Sequence, residues 1–164
     1  MSNIKNTPGP ADEVIQVNRA QIEHRATWMG LIYDEMLKAG IDAEPIIRRA
    51  IKRCGHIHGE NIKKRCAEHY NCTDFSKAFL SDLVVKTFDM RPINAENDSL
   101  GVDFHYCALV SAWQKLGFDD KTCELLCDMA MDGDRGIAEV MGLNFELGNT
   151  IARGCADCQL RFRK

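Results

Sequence analysis

The sequence lacks the motifs that most readily assign a function. It has no P-loop, no dinucleotide-binding G-x-G-x-x-G, no G-x-S-x-G and no H-E-x-x-H. It has no internal repeat and no apolar run long enough to cross a bilayer. The net charge is only -3, so the chain carries no basic field that would attract nucleic acid. We therefore expect a small-molecule substrate as the partner, with no nucleic acid and no membrane, and we expect no cofactor and no metal.

The first residues also lack the apolar core of a signal peptide. Residues 1–11 are polar and are interrupted by Pro8 and Pro10. We interpret them as a flexible leader and expect the protein to be cytoplasmic. Residues 12–164 are expected to form a single domain. The chain has 164 residues, of which 45% are hydrophobic and 27% are charged, which is enough for one compact core.

The hydrophobic pattern predicts helices first and a sheet later. Residues 12–83 are expected to be mainly helical. The first helix has apolar positions at helical spacing, and these are Ile15, Ile22, Ala26, Met29, Tyr33 and Met36. Residues 84–164 are expected to form a hairpin whose strands are "VVKTFDMRPIN" and "VDFHY", further helices, and a C-terminal hairpin around Arg153 and Gly154. One of these helices is expected to end at "DGDRG". The predicted fold class is α+β: a small antiparallel sheet of about four strands, with helices packed on it and an N-terminal helical segment.

The chain is rich in cysteine, with eight residues. In a reducing compartment these are expected to be thiols, metal ligands or catalytic groups rather than structural bridges. Cys155 and Cys158 form a C-x-x-C pair, which is half of a zinc site, but no second pair has a matching spacing. Burial is the favoured interpretation for Cys158, and also for Cys123 on a predicted helix. Structural, redox and metal roles stay open for the C-x-x-C pair.

One cysteine lies where a strand is expected to become a helix. In "GVDFHYCALVSAW", residues Asp103, His105 and Cys107 alternate along the predicted strand and would share one face. A helix that begins at Cys107 would surround the sulfur with unpaired backbone N–H groups, which lower a thiol pKa. A nearby imidazole would favour the thiolate as well. From spacing alone, a nucleophile and a buried core cysteine are evenly balanced.

A group of carboxylates follows in "CDMAMDGDRGIAE". A carboxylate that faces a pocket can bind a cationic amidine or act as an acid or base. Asp132 and Asp134 flank Gly133, which is ordinary turn and N-cap usage. Glu139 stands between apolar residues and is the more unusual of the set.

Three blocks of this sequence resemble a known family. They are "FHYCALVSAWQKLG", "LLCDMAMDGDRGIAE" and "FELGNTIARGCADCQLRF", and they are similar to the L-2-amino-thiazoline-4-carboxylic acid hydrolase family. The positions typical of that family are occupied here by Cys107, Cys127, Glu139, Gly154 and Cys158. The tail also looks like the ending of 4-vinyl-reductase-type ligand-binding domains. The resemblance covers residues 100–164 well, while "DGDR" and Cys155 depart from the family pattern.

The resemblance implies a hydrolase that opens a small cyclic amidine-like heterocycle at a C–N bond. The substrate would be L-2-amino-thiazoline-4-carboxylate or a relative, and the product a carbamoyl-cysteine. The residues leave open whether the ring opens on the C–N or the C–S side. The implied catalytic residues are Cys107 as nucleophile, or as the neighbour of an activated water, His105 as proton shuttle, and Glu139.

The remaining expected site residues would bind the substrate. Glu139 or Asp132 would bind the amidinium group of the substrate, and Arg135 or Arg153 would bind its carboxylate. Cys127 would also contact the substrate.

Two alternatives from other classes stay open. A non-catalytic ligand-binding or thiol-sensing domain could use the same fold, with cysteines that oxidise reversibly. A metal-binding protein could use Cys155, Cys158 and a Cys–His partner. A homo-oligomer is a general expectation for a domain of this kind.

Overall fold

The computed structural model describes residues 2–68 and 71–164. Its helices are α1 (Glu13–Lys38), α2 (Glu44–Lys63), α3 (Cys72–Phe79), α4 (Asp82–Thr87), α5 (Ala108–Lys115), α6 (Asp120–Ala130) and α7 (Asp132–Met141). Its strands are β1 (Met90–Ala95), β2 (Ser99–Phe104), β3 (Asn144–Leu147) and β4 (Cys158–Arg163). They form one antiparallel sheet in the order β1-β2-β4-β3. The predicted α+β class, with a four-stranded antiparallel sheet and an N-terminal helical segment, is confirmed.

Helix α1 begins and ends where its sequence indicates. The side chain of Asp12 accepts a hydrogen bond from the backbone N–H of Ile15 at 2.9 Å, which caps the first turn. The predicted inward stripe is confirmed at Ile15, Ile22 and Ala26, which are all buried. The helix ends at Lys38, and Gly40 then adopts a φ of 73°, a left-handed conformation that favours glycine.

The sheet buries one face, and the alternation along its two central strands explains why. Leu100 and Val102 on β2 are fully buried, and they pair with Phe162 and Leu160 on β4. The next pair in this register is Phe104 with Cys158. Cys158 therefore lies at the end of β4, close to where the chain leaves β2 towards Cys107.

Two local predictions were wrong. The β-branched residues of "VVKT" belong to α4, because Ser81 caps that helix by accepting a hydrogen bond from the backbone N–H of Val84 at 3.3 Å. The strand expected through Tyr106 ends at Phe104. His105 and Tyr106 still donate backbone hydrogen bonds to Asp89 and Phe88, at 3.1 Å each, so this stretch stays attached to the chain that enters β1.

Helix α7 also differs from the expectation, since "DGDRG" does not interrupt the helical region. These residues form the first half of α7, which packs closely against α2. The approach depends on glycine. A Cβ at Gly55 would overlap the carbonyl oxygen of Gly133, and a Cβ at Gly136 would lie 2.6 Å from the carbonyl oxygen of Lys52. This contact fixes the side of α7 that faces the protein interior.

We predict that Gly55→Ala destabilises the protein by several kcal/mol, because the new methyl group collides with backbone atoms that cannot move aside cheaply. The matched control is Gly133→Ala on the facing helix. A Cβ at Gly133 meets only the Ile51 side chain, at 3.6 Å, which is ordinary contact. We expect that change to be neutral or to stabilise by up to about 1 kcal/mol. Thermal and denaturant unfolding of both variants test this; equal stabilities would contradict it.

The N-terminal segment makes defined contacts with the domain. Ile4 is buried in the core. The Asn6 side chain pairs with the backbone of Cys107 in both directions: it donates to the carbonyl oxygen at 2.8 Å and accepts from the N–H at 2.9 Å. This segment therefore covers the junction between β2 and α5. The flexibility expected for residues 1–11 stays a prediction.

Within the described ranges, no helix is both long and apolar enough to cross a membrane.

Candidate functional site

A cavity of about 680 Å³ lies between the helices and the buried face of the sheet. Its lining includes four thiols, of Cys54, Cys107, Cys127 and Cys158. Cys54 is exposed, and we call the three buried thiols, of Cys107, Cys127 and Cys158, the thiol cluster. The carboxyl group of Asp134, the imidazole of His58 and two guanidinium groups, of Arg25 and Arg65, line the same cavity. The cavity thus combines a nucleophile, an acid–base group and a fixed positive charge.

Cys107 is the residue at which strand changes to helix. It is the N-cap of α5, with extended backbone angles of φ −131° and ψ 111°, and it is 9% exposed. Burial raises the pKa of its thiol above the ordinary value. The backbone N–H groups of Leu109 and Val110 and the charge of Arg25 act in the opposite direction, although no hydrogen bond of normal geometry reaches the sulfur.

Cys107 therefore lies at the start of α5, as the sequence pattern predicts, and both effects considered from the sequence act on its pKa. The helix N-terminus does favour the thiolate, as expected. Its effect is smaller than the cost of burying a charge. Without a ligand, Cys107 carries its proton at neutral pH.

The other two cavity thiols are brought to Cys107 by the sheet register and by α6. Cys158 is 5% exposed, and its sulfur accepts a hydrogen bond from the backbone N–H of Ile151 at 3.2 Å. Burial raises the pKa of Cys158, and Cys107 raises it further. Burial likewise raises the pKa of Cys127, with Cys107 and then Cys158 adding to the effect. Burial of Cys158 and Cys123 is confirmed, and all eight cysteines are free thiols.

Asp134 is a functional candidate, although its sequence context is that of a turn residue. It lies in the first half of α7, and its side chain is half-buried because it faces the cavity. Burial raises the pKa of its carboxyl group to about 7, while Arg135 and Arg25 lower it. The spacing of Asp134 from the buried residues Ile137, Ala138 and Met141 could have predicted this position. Spacings of three, four and seven residues place Asp134 on the inward face of a helix.

Arg25 is the second candidate that was missed. It lines the cavity, and its charge favours the ionised forms of both Cys107 and Asp134. Its side chain forms no hydrogen bond or ion pair with any residue of the described ranges. Its guanidinium is therefore available to an anionic ligand. Its neighbours Ile22 and Ala26, both buried on α1, were the available signal.

Asp132 and Arg135, expected as substrate-binding residues, lie in an ion-pair network outside the cavity lining. Arg135 contacts Asp132 at 2.7 Å and Asp128 at 2.6 Å. Arg48 joins the same two aspartates at 3.1 Å and 2.7 Å. The network ties α2, α6 and α7 together, so its charges already have partners within the protein.

The three other expected residues also lie outside the cavity lining. The exposed carboxylate of Glu139 pairs with Lys52 at 2.5 Å and with Nε2 of His56 at 2.9 Å. The Nε2 atom of His105 makes a 2.7 Å hydrogen bond with the carbonyl oxygen of Arg91. The guanidinium of Arg153 pairs with Glu124 at 2.9 Å. Of the expected site residues, the structure brings Cys107 and Cys127 together in the cavity.

Across residues 2–68 and 71–164, no three or more His, Cys, Asp or Glu side chains are grouped so that they could hold a metal ion.

The structure is an α+β domain in which helices pack on a small antiparallel sheet and a cysteine at a helix N-terminus lines a partly open cavity. The chain belongs to the L-2-amino-thiazoline-4-carboxylic acid hydrolase family, whose sequence model matches residues 19–162. This confirms the family resemblance and extends it over nearly the whole chain. The family description supports a hydrolase function of this general type. No curated protein and no solved structure matches the chain.

Proposed function

We propose that this protein hydrolyses L-2-amino-thiazoline-4-carboxylate, or a close relative, with Cys107 as the nucleophile. The observation that carries the proposal is the position of Cys107 at the start of α5, facing a cavity that also contains Asp134 and Arg25. The substrate has matching groups: an electrophilic ring carbon between nitrogen and sulfur, a basic amidine and a carboxylate. Family membership supports the same reaction class.

The first step requires the proton of Cys107 to leave. Asp134 has a pKa of about 7, so an appreciable share of its carboxyl groups is ionised at neutral pH and can accept that proton, directly or through a water. The thiolate then attacks the ring carbon. A bond forms between sulfur and carbon, and the electron pair of the C=N bond moves to the ring nitrogen, which takes a proton from Asp134. The N–H groups of Leu109 and Val110 favour the thiolate before it attacks.

Ring opening and hydrolysis follow from this adduct. When the amidine binds in its protonated form, the ring nitrogen of the adduct carries two hydrogens after the transfer from Asp134. It then leaves as the amine, as the predicted C–N cleavage requires, while the exocyclic nitrogen forms a new C=N bond; alternatively the ring sulfur leaves as the thiolate. A water then attacks the same carbon and gives a proton to Asp134, and the bond to Cys107 breaks to release the thiolate. Loss of the nitrogen leaves S-carbamoyl-cysteine, and loss of the sulfur leaves N-carbamoyl-cysteine. We assign these proton transfers to Asp134 because it lines the cavity, whereas His105 and Glu139 have other partners outside the cavity.

Arg25 is proposed to bind the substrate carboxylate. We predict that Arg25→Gln raises KM about 10–100-fold, because a charge-assisted hydrogen bond to the carboxylate contributes on the order of 1.5–3 kcal/mol. The change in kcat should be smaller. Steady-state kinetics measure both constants. Arg49→Gln, an exposed arginine outside the cavity lining, is the matched control. An unchanged KM in Arg25→Gln would exclude this role.

The reaction itself is tested by incubating purified protein with L-2-amino-thiazoline-4-carboxylate, without added metal. Liquid chromatography with mass spectrometry follows the two carbamoyl-cysteines against standards, which also identifies the bond that is cleaved. We expect catalytic turnover to one of these products. Absence of both, with the substrate unchanged, would exclude this substrate.

A ligand-binding domain without turnover is the second candidate. It is favoured by one observation: burial raises the pKa of all three thiols in the cluster, which keeps them protonated and less nucleophilic. Saturable binding of the same compound without product would support this function over hydrolysis.

We also propose a homo-oligomer and a cytoplasmic location, both as expected from the sequence. The exposed side chains of Trp28, Leu31 and Ile32 on α1 support the first proposal, because apolar groups on one helix face are typical of an interface. Light scattering on the eluted protein gives the mass that tests it.

A further inference from the structure

The cavity is much larger than the substrate in the family description requires. A volume of about 680 Å³ lies within the range of about 300–1,000 Å³ that is usual for pockets that hold drug-sized ligands. A single five-membered ring that carries one amino group and one carboxylate is far smaller than such a ligand. If this compound bound alone, most of the cavity would stay filled with water.

One stretch of the chain contributes only apolar side chains to the cavity lining. The polar lining residues outside the reactive groups come from α1, from α2 and from the residues just after α2, and they are Asn18, His58, Asn61 and Arg65. The chain from the end of α3 to the start of β1 contributes five side chains to the lining, and we call this set the apolar compartment: Phe79, Leu83, Val84, Phe88 and Met90. All five are hydrophobic, and no polar side chain of this stretch lines the cavity. The reactive groups come from other elements, since Cys107 is the N-cap of α5 and Cys127 and Asp134 belong to α6 and α7.

An apolar wall of this kind gains little from contact with water or with a polar ring. Burial of hydrophobic surface is favourable in proportion to the area removed from water. Neighbouring residues extend the wall on the sheet: the Phe104 ring lies 5.2 Å from the Phe88 ring, and Leu160 also lines the cavity. A hydrocarbon group is the ligand chemistry that fits these surfaces.

We propose that the apolar compartment binds a hydrophobic substituent of the substrate, an alkyl or aryl group attached to the cyclic amidine ring. The substrate class is then an apolar-substituted amino-thiazoline carboxylate or a related cyclic amidine, rather than the bare ring. This inference rests on the proposed function for the reacting end of the molecule. The carboxylate and the reacting carbon are held near Arg25 and Cys107, and the substituent extends between α4 and the sheet.

Binding can be tested separately from catalysis with straight-chain carboxylates from acetate to octanoate, measured by calorimetry. Each methylene that enters the compartment should tighten binding by up to about fourfold, until the compartment is filled. Leu83→Ala, at a side chain that is 39% exposed, should weaken octanoate binding severalfold and leave acetate binding unchanged. Leu37→Ala, 48% exposed on α1 and outside the cavity lining, is the matched control. Val84→Trp fills the compartment and should abolish the dependence on chain length.

Equal affinities for acetate and octanoate would overturn the inference, and so would an unchanged dependence on chain length in Val84→Trp that folds normally. The hydrolysis assay separates the two proposals. If the bare ring is hydrolysed but chain length has no effect, the compartment fails and the proposed function stands. If affinity rises with chain length but neither the bare nor the 5-alkyl ring is hydrolysed, the compartment stands and the proposed function fails. If both stand, a 5-butyl ring should show a higher kcat/KM than the bare ring.

Discussion

Replacing Cys107 with alanine is expected to lower kcat for ring opening by about three orders of magnitude or more. The reason is that the attacking sulfur is removed, while the cavity and Arg25 remain to bind the substrate. KM should change much less than kcat. Cys107→Ser keeps the shape of the side chain and replaces the thiol by a weaker nucleophile, so it should fail to a similar degree.

The control for this prediction is Cys66→Ser. Cys66 is a half-buried thiol outside the cavity lining, and it donates a 3.4 Å hydrogen bond to the carbonyl oxygen of Ile62 that serine can replace. It should keep normal turnover. Thermal unfolding of each variant separates loss of chemistry from loss of fold, because Cys107 is buried and its backbone is held by Asn6. Near-normal turnover by folded Cys107→Ala would mean that Cys107 is not the nucleophile.

Replacing Asp134 with asparagine is expected to lower kcat/KM about 10²–10⁴-fold, the usual contribution of a general acid or base. The pH profile adds a second readout. In the native protein, kcat/KM should rise with pH through an apparent pKa near 7, because only the ionised carboxylate accepts the proton of Cys107. Asparagine does not ionise, so this limb should vanish from the profile of the variant.

Asp42→Asn is the control for that experiment, since Asp42 is exposed and lies outside the cavity lining. It should keep both the rate and the limb near pH 7. A limb that survives in Asp134→Asn would assign it to another group. His105→Gln, measured in parallel, tests the proton shuttle predicted from the sequence.

Features that depend on local chemistry could be predicted from the sequence. The start of α1 follows from Asp12 and its end from Gly40, and the buried stripe between them follows from helical spacing. The position of Cys107 at the change from strand to helix could also be predicted. The residues before it alternate with the period of a strand, and the apolar residues after it follow the period of a helix.

Features that depend on long-range packing could not be predicted in the same way. Asp134 follows a glycine, and this local sequence is typical of a turn. Its position in the cavity depends on the packing of α7 on α2 through Gly55 and Gly136. That contact turns one face of α7 inward and takes Asp134 with it. The direction of the pKa shift of Cys107 could not be predicted for the same reason. The sequence indicates the helix N-terminus but not the extent to which the thiol is buried.

Charged residues were the hardest to assign, because their partners lie far away in the chain. Arg135 looked available for a carboxylate, yet it pairs with Asp128 and Asp132. Arg25 has no such partner within the described residues. The charged residues near it in the sequence do not predict this difference from Arg135. Which cations are free is a property of the folded molecule.

The proposed mechanism requires a covalent bond between Cys107 and the ring carbon of the substrate. The most direct measurement is a single-turnover reaction of excess protein with L-2-amino-thiazoline-4-carboxylate, quenched in acid at successive times and mapped by peptide mass spectrometry. We predict a transient adduct on Cys107 that rises before the carbamoyl-cysteine product and decays with its release. Product formation with Cys107 unmodified at every quench time, or an adduct on another cysteine, would contradict the account.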